Sequence, residues 1–441
     1  MCTFLRLTGL SLALAAIIVS GAFAQTGYRS QYEYGEARFA IDAVDFRAPQ
    51  TGLRTLEIYY KIFYDALSYQ KTLQGYEAQY EVAVVVEGQG GAQIEGLIRE
   101  GDIKLDTYAQ TRQSLDFIVN LLTVAIDEQD VMVRAVLTDK LSGKTLEVKK
   151  ELKKRAYWGK YATLSRVEFA REVSPADKES KFNKASLRVI PSVCRIFGGD
   201  FDSLLTYYQE IYPGETETSF LKVISRIYHH TRGFVYSDTV EYGEISDVKY
   251  EVRTINVANL LPGDYELEVR LEGRRGKLYD KLIEEFELEL TAETVFRNDY
   301  VIAVEMLKYL ATKDELNRLK KAKTPEERRR LWDEFWRARS DGSDSRQNPS
   351  KEEYFRRVRH SNRYFSAMKK EGWKTTRGMI YITYGEPDEV DDHPFELAEK
   401  PYQVWSYYRL NPPRKFIFVD RWGDGNYELQ PPYNGLDWRD E

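Results

Sequence analysis

Two β-sandwiches, a helical segment and a small antiparallel sheet packed on helices are what this sequence predicts: a mostly β chain with an α+β end. Three observations carry that expectation. Up to about residue 290 short apolar runs alternate with polar residues, spaced roughly 8–12 residues apart and joined by Gly- and Asp-bearing turns. From Glu293 the apolar spacing becomes three and four, the helical period. Towards the C-terminus short aromatic and β-branched runs return, each stopping at Gly, Pro or Asp. The implied units are 26–155, 160–292, 293–371 and 372–441, after a leader at 1–24.

The leader has one charge, Arg6, then an apolar run from Leu7 to Val19, then Ala22-Phe23-Ala24 before Gln25. That is the pattern of a cleaved signal peptide, and the run is too short for a good membrane span. The expectation is export, to the periplasm or the medium, with no transmembrane segment after cleavage. Cys2 leaves with the leader. Cys194 then has no partner for an internal disulfide and reads as a buried thiol among apolar neighbours.

The first unit offers strands at 37–44, 53–63, 79–87, 94–98, 103–108, 113–118, 131–138 and 144–152, an immunoglobulin-like set. Leu56, Ile58, Tyr60 and Ile62 share one face, while Tyr59, Lys61 and Phe63 share the other. The second unit offers 164–169, 186–191, 201–209, 219–228, 248–257, 265–271 and 283–290. In it Leu261-Pro262-Gly263-Asp264 is a turn that launches a strand. Helix starts follow at Thr312-Lys313-Asp314-Glu315, a capping box, and at Thr324-Pro325-Glu326-Glu327, with Pro at the first helical position. Ser350-Lys351-Glu352-Glu353 starts a third helix. The polar stretch 340–349 between them reads as an exposed loop.

Residues 313–371 hold 18 Lys+Arg against 11 Asp+Glu, and residues 386–441 hold 6 against 13. A basic helical layer followed by an acidic sheet suggests that the two face each other. Trp332 and Trp336 need a partner surface too, because so short a helix cannot bury two indoles alone.

The most specific writing is Gly372-Trp373-Lys374-Thr375-Thr376-Arg377-Gly378, read as a helix exit with Gly372 as its left-handed cap. It runs into a predicted strand, Met379-Ile380-Tyr381-Ile382-Thr383-Tyr384, then Gly385-Glu386-Pro387-Asp388-Glu389, and later Trp405-Ser406-Tyr407. These residues resemble the GWxTD domain, a bacterial extracytoplasmic module without an assigned chemistry. One position departs: the motif's Asp is Thr376. The resemblance implies an exported protein of the cell envelope. Trp373 is expected to plug the helix–sheet corner, Thr375 to bond the turn backbone, and Arg377 to pair with Asp388 or Glu389. The functional alternative is a recognition groove lined by Trp373, Tyr381, Tyr384, Trp405 and Tyr407, with Thr375, Arg377, Asp388 and Glu389 as polar contacts.

Other candidates are weaker. Asp388, Glu389, Asp391, Asp392 and His393 are acidic enough for a cation, but the spacing fits no known cage and the segment reads as a loop between Pro387 and Pro394. Asp424-Gly425 marks a hairpin rather than a calcium loop. His229 and His230 fall on opposite faces of a strand, and His360 falls on a basic helix face. No phosphate loop or nucleophile elbow is present, so no cofactor and no metal are expected. Charged residues are 30% but well mixed, and the net charge of −6 argues against a nucleic-acid partner. The function expected is a non-enzymatic interaction or scaffold protein with a protein partner. The alternatives are an enzyme on a cell-envelope polymer, centred on Arg377, Asp388 and Glu389, or a carrier of a peptide or sugar.

Overall fold

The computed structural model describes residues 38–111, 116–198, 203–216, 220–230, 232–340, 349–367, 370–394 and 400–436. The leader at 1–24 and residues 341–348 of the polar stretch lie outside them.

In chain order the first sandwich has β1 (Phe39–Arg47), β2 (Leu53–Phe63), β3 (Gln70–Thr72), β4 (Gly75–Glu87), β5 (Gln93–Leu105), a single helical turn α1 (Tyr108–Thr111), β6 (Phe117–Asp127), β7 (Val131–Asp139) and β8 (Thr145–Leu152). One sheet runs β1-β2-β6; the other runs β3-β4-β7-β8, with β5 also on β4. Ile58, Ile62, Val82, Val86 and Val133 are fully buried between them, each stabilising the fold by about 1.5–3 kcal/mol. The two runs expected at 94–98 and 103–108 are one long strand, β5. Of the strand expected at 113–118, residues 113–115 lie outside the described residues, and the strand found here, β6, runs on to Asp127.

The second sandwich holds β9 (Thr163–Leu164), β10 (Glu168–Pro175), β11 (Asn183–Lys184), β12 (Leu187–Pro191), β13 (Ile196–Phe197), β14 (Leu204–Tyr212), β15 (Leu221–His229), β16 (Gly233–Tyr242), β17 (Lys249–Asn256), β18 (Gly263–Glu272) and β19 (Leu278–Leu288). Its sheets run β11-β12-β10-β14-β17 and β13-β19-β18-β15-β16, with β9 also on β14. The single strand expected at 164–169 is split into β9 and β10. Strand β16 went unread because none of its residues is fully buried and Ser237, Asp238, Thr239 and Glu241 interrupt its apolar run.

The sandwiches are fused face to face. Val44, Phe46 and Tyr59 of the β1-β2-β6 sheet pack on Ala170, Val189 and Tyr208 of the second unit. Buried ions cross the same junction. Arg195 grips Asp42 through both oxygens at 2.8 Å and Glu284 at 2.7 Å. Arg166 bridges Asp45 and Glu284. Asp45 also takes Arg54 and the Tyr157 hydroxyl.

The helices are α2 (Ala292–Asn298), α3 (Tyr300–Met306), α4 (Lys313–Lys321), α5 (Pro325–Arg337), α6 (Pro349–Phe365) and α7 (Thr376–Tyr384). Thr312 and Glu315 cap α4 reciprocally, and Thr324 caps α5 with Pro325 following. A final sheet is ordered β20 (Glu389–His393), β21 (Tyr402–Tyr407), β22 (Arg414–Asp420), β23 (Tyr427–Leu429). Trp332, Trp336, Phe355, Trp373 and Ile382 make one core. Phe365 and Tyr381 join Trp405, Phe416 and Phe418 in the next. Helices and sheet are therefore one packed body, joined through apolar surface.

Two expectations fail here and a third is incomplete. The predicted strand from Met379 to Tyr384 is the helix α7. The acidic loop at 388–393 is mostly the edge strand β20. The basic helices do face the acidic segment, where Arg356 acts on Glu386, but they also pair with the second sandwich and its exit. Arg359 reaches Glu289 at 2.9 Å, Arg363 reaches Glu287 at 3.8 Å and Arg329 takes Glu293.

Candidate functional site

The Gly372 turn is a corner of three elements. Gly372–Lys374 forms a 3-10 turn, and Gly372 does not take the left-handed conformation expected of a cap. A Cβ there would lie 1.7 Å from the Ser361 carbonyl oxygen of α6, so close approach is what requires glycine. Thr375 caps α7: its hydroxyl donates to the Gly372 carbonyl at 2.7 Å and accepts from the Gly378 N–H at 3.0 Å. Thr376, where the motif has Asp, donates to the Tyr427 carbonyl at 2.8 Å and accepts the Leu429 N–H at 3.1 Å. A hydroxyl can do both; an ionised carboxylate only accepts.

Trp373 is buried. Its indole donates to Glu371 at 3.0 Å, and its carbonyl accepts from the Tyr309 hydroxyl at 2.9 Å. Arg377 is also buried, donating to the Gly425 carbonyl at 3.1 Å, with Phe365 and Tyr427 on its guanidinium. Asp388 is held by Arg409, through the backbone N–H at 3.1 Å and the guanidinium. Glu389 takes the Tyr408 hydroxyl. Burial works against the charge of Asp388, but the Arg409 contacts hold its carboxyl below the usual range. Both acids lie on exposed residues, apart from Arg377.

The other candidates are core. Tyr381 stacks on His360 with centroids 4.1 Å apart and its phenol is pushed up to about 12, mainly by burial. Trp405 and Tyr407 are buried and Tyr384 is half-buried against Phe416 and Tyr407. Trp373 belongs to one core, and Tyr381, Trp405 and Tyr407 to the other. The structure brings the nine residues to one region without lining a groove with them.

His360 is buried rather than on a solvated face, with neither ring nitrogen hydrogen-bonded. Burial, then Arg356 and Arg363, lower its pKa from 6.5 to about 3. Folding therefore favours the neutral ring. Its contribution is whole above pH 6.5 and is lost as pH falls towards 3, at roughly 1.4 kcal/mol per unit. His360→Phe should flatten the acid limb of a stability–pH curve by that slope; an unchanged slope between pH 6 and 4 would refute it.

One role was missed: Asp420 opens the run weighed above only as a calcium loop or a hairpin. Between β22 and β23 the Asp420 carboxylate accepts the backbone N–H groups of Trp422, Gly423, Asp424 and Gly425 at 2.8–3.2 Å. Burial opposes its charge, but these donors keep its pKa low. The hairpin expected from Asp424-Gly425 is present, and it presents Trp422 at 79% exposure.

The GWxTD domain family matches residues 297–432. The chain carries a GWxTD domain. The match begins in α2, well before Gly372, so the domain includes the helices as well as the sheet. No curated protein matches the chain. Among solved structures it is similar to a putative beta-galactosidase from Bacteroides fragilis, at 10% identity and TM-score 0.19, covering 55% of this chain and 33% of that one. A glycosyl hydrolase family 2 member from Bacteroides cellulosilyticus gives 8% identity and TM-score 0.23, covering 52% and 28%. A calcium-binding mutant of Bacteroides uniformis beta-glucuronidase 2 gives 10% and 0.20, covering 55% and 27%. The chain spans at most a third of the length of these three, and superpositions this loose carry no argument about activity. Among the described residues no helix is long and apolar enough to cross a membrane.

Proposed function

We propose that the chain is an exported, non-enzymatic interaction or scaffold protein of the bacterial cell envelope that engages a protein partner through its GWxTD domain. The observation that carries the reading is Trp422, an exposed indole on a tip fixed by four hydrogen bonds to one carboxylate. Interface hot spots are enriched in Trp, and a preorganised loop spares the ordering cost of binding. The acids that an enzyme would need, Asp388 and Glu389, lie at the surface with Arg409 and Tyr408 on them. Export rests on the leader, and fractionation with N-terminal sequencing tests it, Gln25 being the expected first residue.

The partner reading is tested by capture from envelope extract with the secreted form and its Trp422→Ala variant. The variant should lose a saturable, specific partner while its stability stays within about 0.5 kcal/mol, as for other exposed positions. Retention of every specific partner by the variant would overturn the reading.

A further inference from the structure

A cavity of about 540 Å³ lies where the first sandwich, the second sandwich and α6 meet. Its charge runs against that of the whole chain. The chain carries −6, yet the lining includes Lys61, Lys150, Arg171, Arg195, Arg359 and Arg363 against three carboxylates, Asp42, Glu287 and Glu289. Each carboxylate already has a cation: Asp42 has Arg195 and Lys150, Glu287 has Arg363, and Glu289 has Arg359.

Lys61 and Arg171 stand outside these pairs. Among the described residues neither has a carboxylate within ion-pair distance. They sit instead on aromatic faces, Lys61 at 3.8 Å from the Phe117 centroid and 4.3 Å from Phe63, Arg171 at 5.0 Å from Phe117. Burial, with some help from the Arg171 charge, lowers the pKa of Lys61, while a hydrogen bond with Cys194 and the more distant Glu289 charge act in the opposite direction. Two like charges are thus held over one ring, Lys61 half-buried and Arg171 at the exposed rim. Phe197 and Ile41 add apolar wall.

We infer that this cleft binds a small organic anion, a carboxylate or phosphate carried on an apolar body, with Lys61 and Arg171 as its cationic contacts. The anion relieves the repulsion between the two cations, and its body covers Phe63 and Phe117. The site is separate from the Trp422 tip, so either reading stands without the other.

The test is a fluorescence titration of the secreted form with 1-anilinonaphthalene-8-sulfonate, an anion on an aromatic body, followed by competition with octanoate or inorganic phosphate. Saturable binding is expected, displaced by octanoate at concentrations where phosphate has little effect. Lys61→Gln with Arg171→Gln should weaken it about tenfold or more, two charge-assisted contacts being lost. Arg171→Gln alone, at an exposed position, should weaken it in a chain whose folding is intact. Lys308→Gln, over Trp373, should leave it unchanged. No saturable binding, equal affinity in the Arg171→Gln protein, or displacement by phosphate alone would overturn the inference.

Discussion

Arg195→Met should destabilise the fused sandwiches by about 3–5 kcal/mol, the cost of breaking a buried ion pair by removing one partner. The guanidinium makes three hydrogen bonds of 2.7–2.8 Å to Asp42 and Glu284. All three side chains are buried. Without Arg195, Asp42 keeps the Ala43 N–H at 2.9 Å but, among the described residues, no ion pair except Lys150 at 3.7 Å, and Glu284 keeps Arg166, with the Lys150 charge acting on it as well. The pH dependence is a second check. Burial raises the pKa of Glu284, but Arg195 and then Arg166 bring it below the usual value. A depressed carboxyl contributes stability above its unfolded pKa and loses it as pH falls through the folded one. The gap between the parent and Arg195→Met should therefore be widest at neutral pH and narrow below about pH 4.5. Urea denaturation at pH 7 and pH 4 measures both. A gap under 1 kcal/mol at pH 7, or one that widens in acid, contradicts the assignment.

Gly372→Ala should destabilise the GWxTD domain by about 3 kcal/mol or more, at the upper end for overpacking. The added carbon meets the backbone of α6, at 1.7 Å from the Ser361 oxygen and 2.8 Å from the Asn362 Cα. No side chain is there to rotate away. Ser361 is fully buried and its hydroxyl is tied to the Arg357 carbonyl, so α6 must shift as a unit. That shift would loosen Trp373, whose N–H donates to Asn362. Thermal unfolding followed by tryptophan emission reads the effect directly; a midpoint within 2 °C of the parent, about 1 kcal/mol or less for a domain of this size, would refute the steric argument.

Much of the fold was legible because its signals are local. Thr312 with Glu315, and Thr324 with Pro325, announce helix starts within four residues. The alternation in β2 and β7 fixes strand and face together. Segment 379–384 failed for a physical reason. Its apolar and β-branched residues suit a strand, but it is buried on several sides, so periodicity cannot separate helix from strand. The Thr375 cap was the better clue. The corner role of Trp373 and the turn bonds of Thr375 were readable from residue type. The partner of Arg377 was not, since Gly425 stands 48 positions away. The Arg195–Asp42 pair spans 153 positions, which no local pattern can show. Trp422 could be read as a hairpin residue, but exposure depends on what packs nearby.

Strand β2 lies in a sheet that is covered on both sides. Ile58 and Ile62 look into the first sandwich, and Tyr59 looks into the second. Glu57, on the Tyr59 face, takes Lys184 from β11. Over the enclosed part of the strand neither side is free to vary. Arg54 and Glu57, which resemble the permissive half of an ordinary sandwich strand, should therefore prove as intolerant of exchange as the aliphatic residues, whereas Lys61, on the cleft, should not.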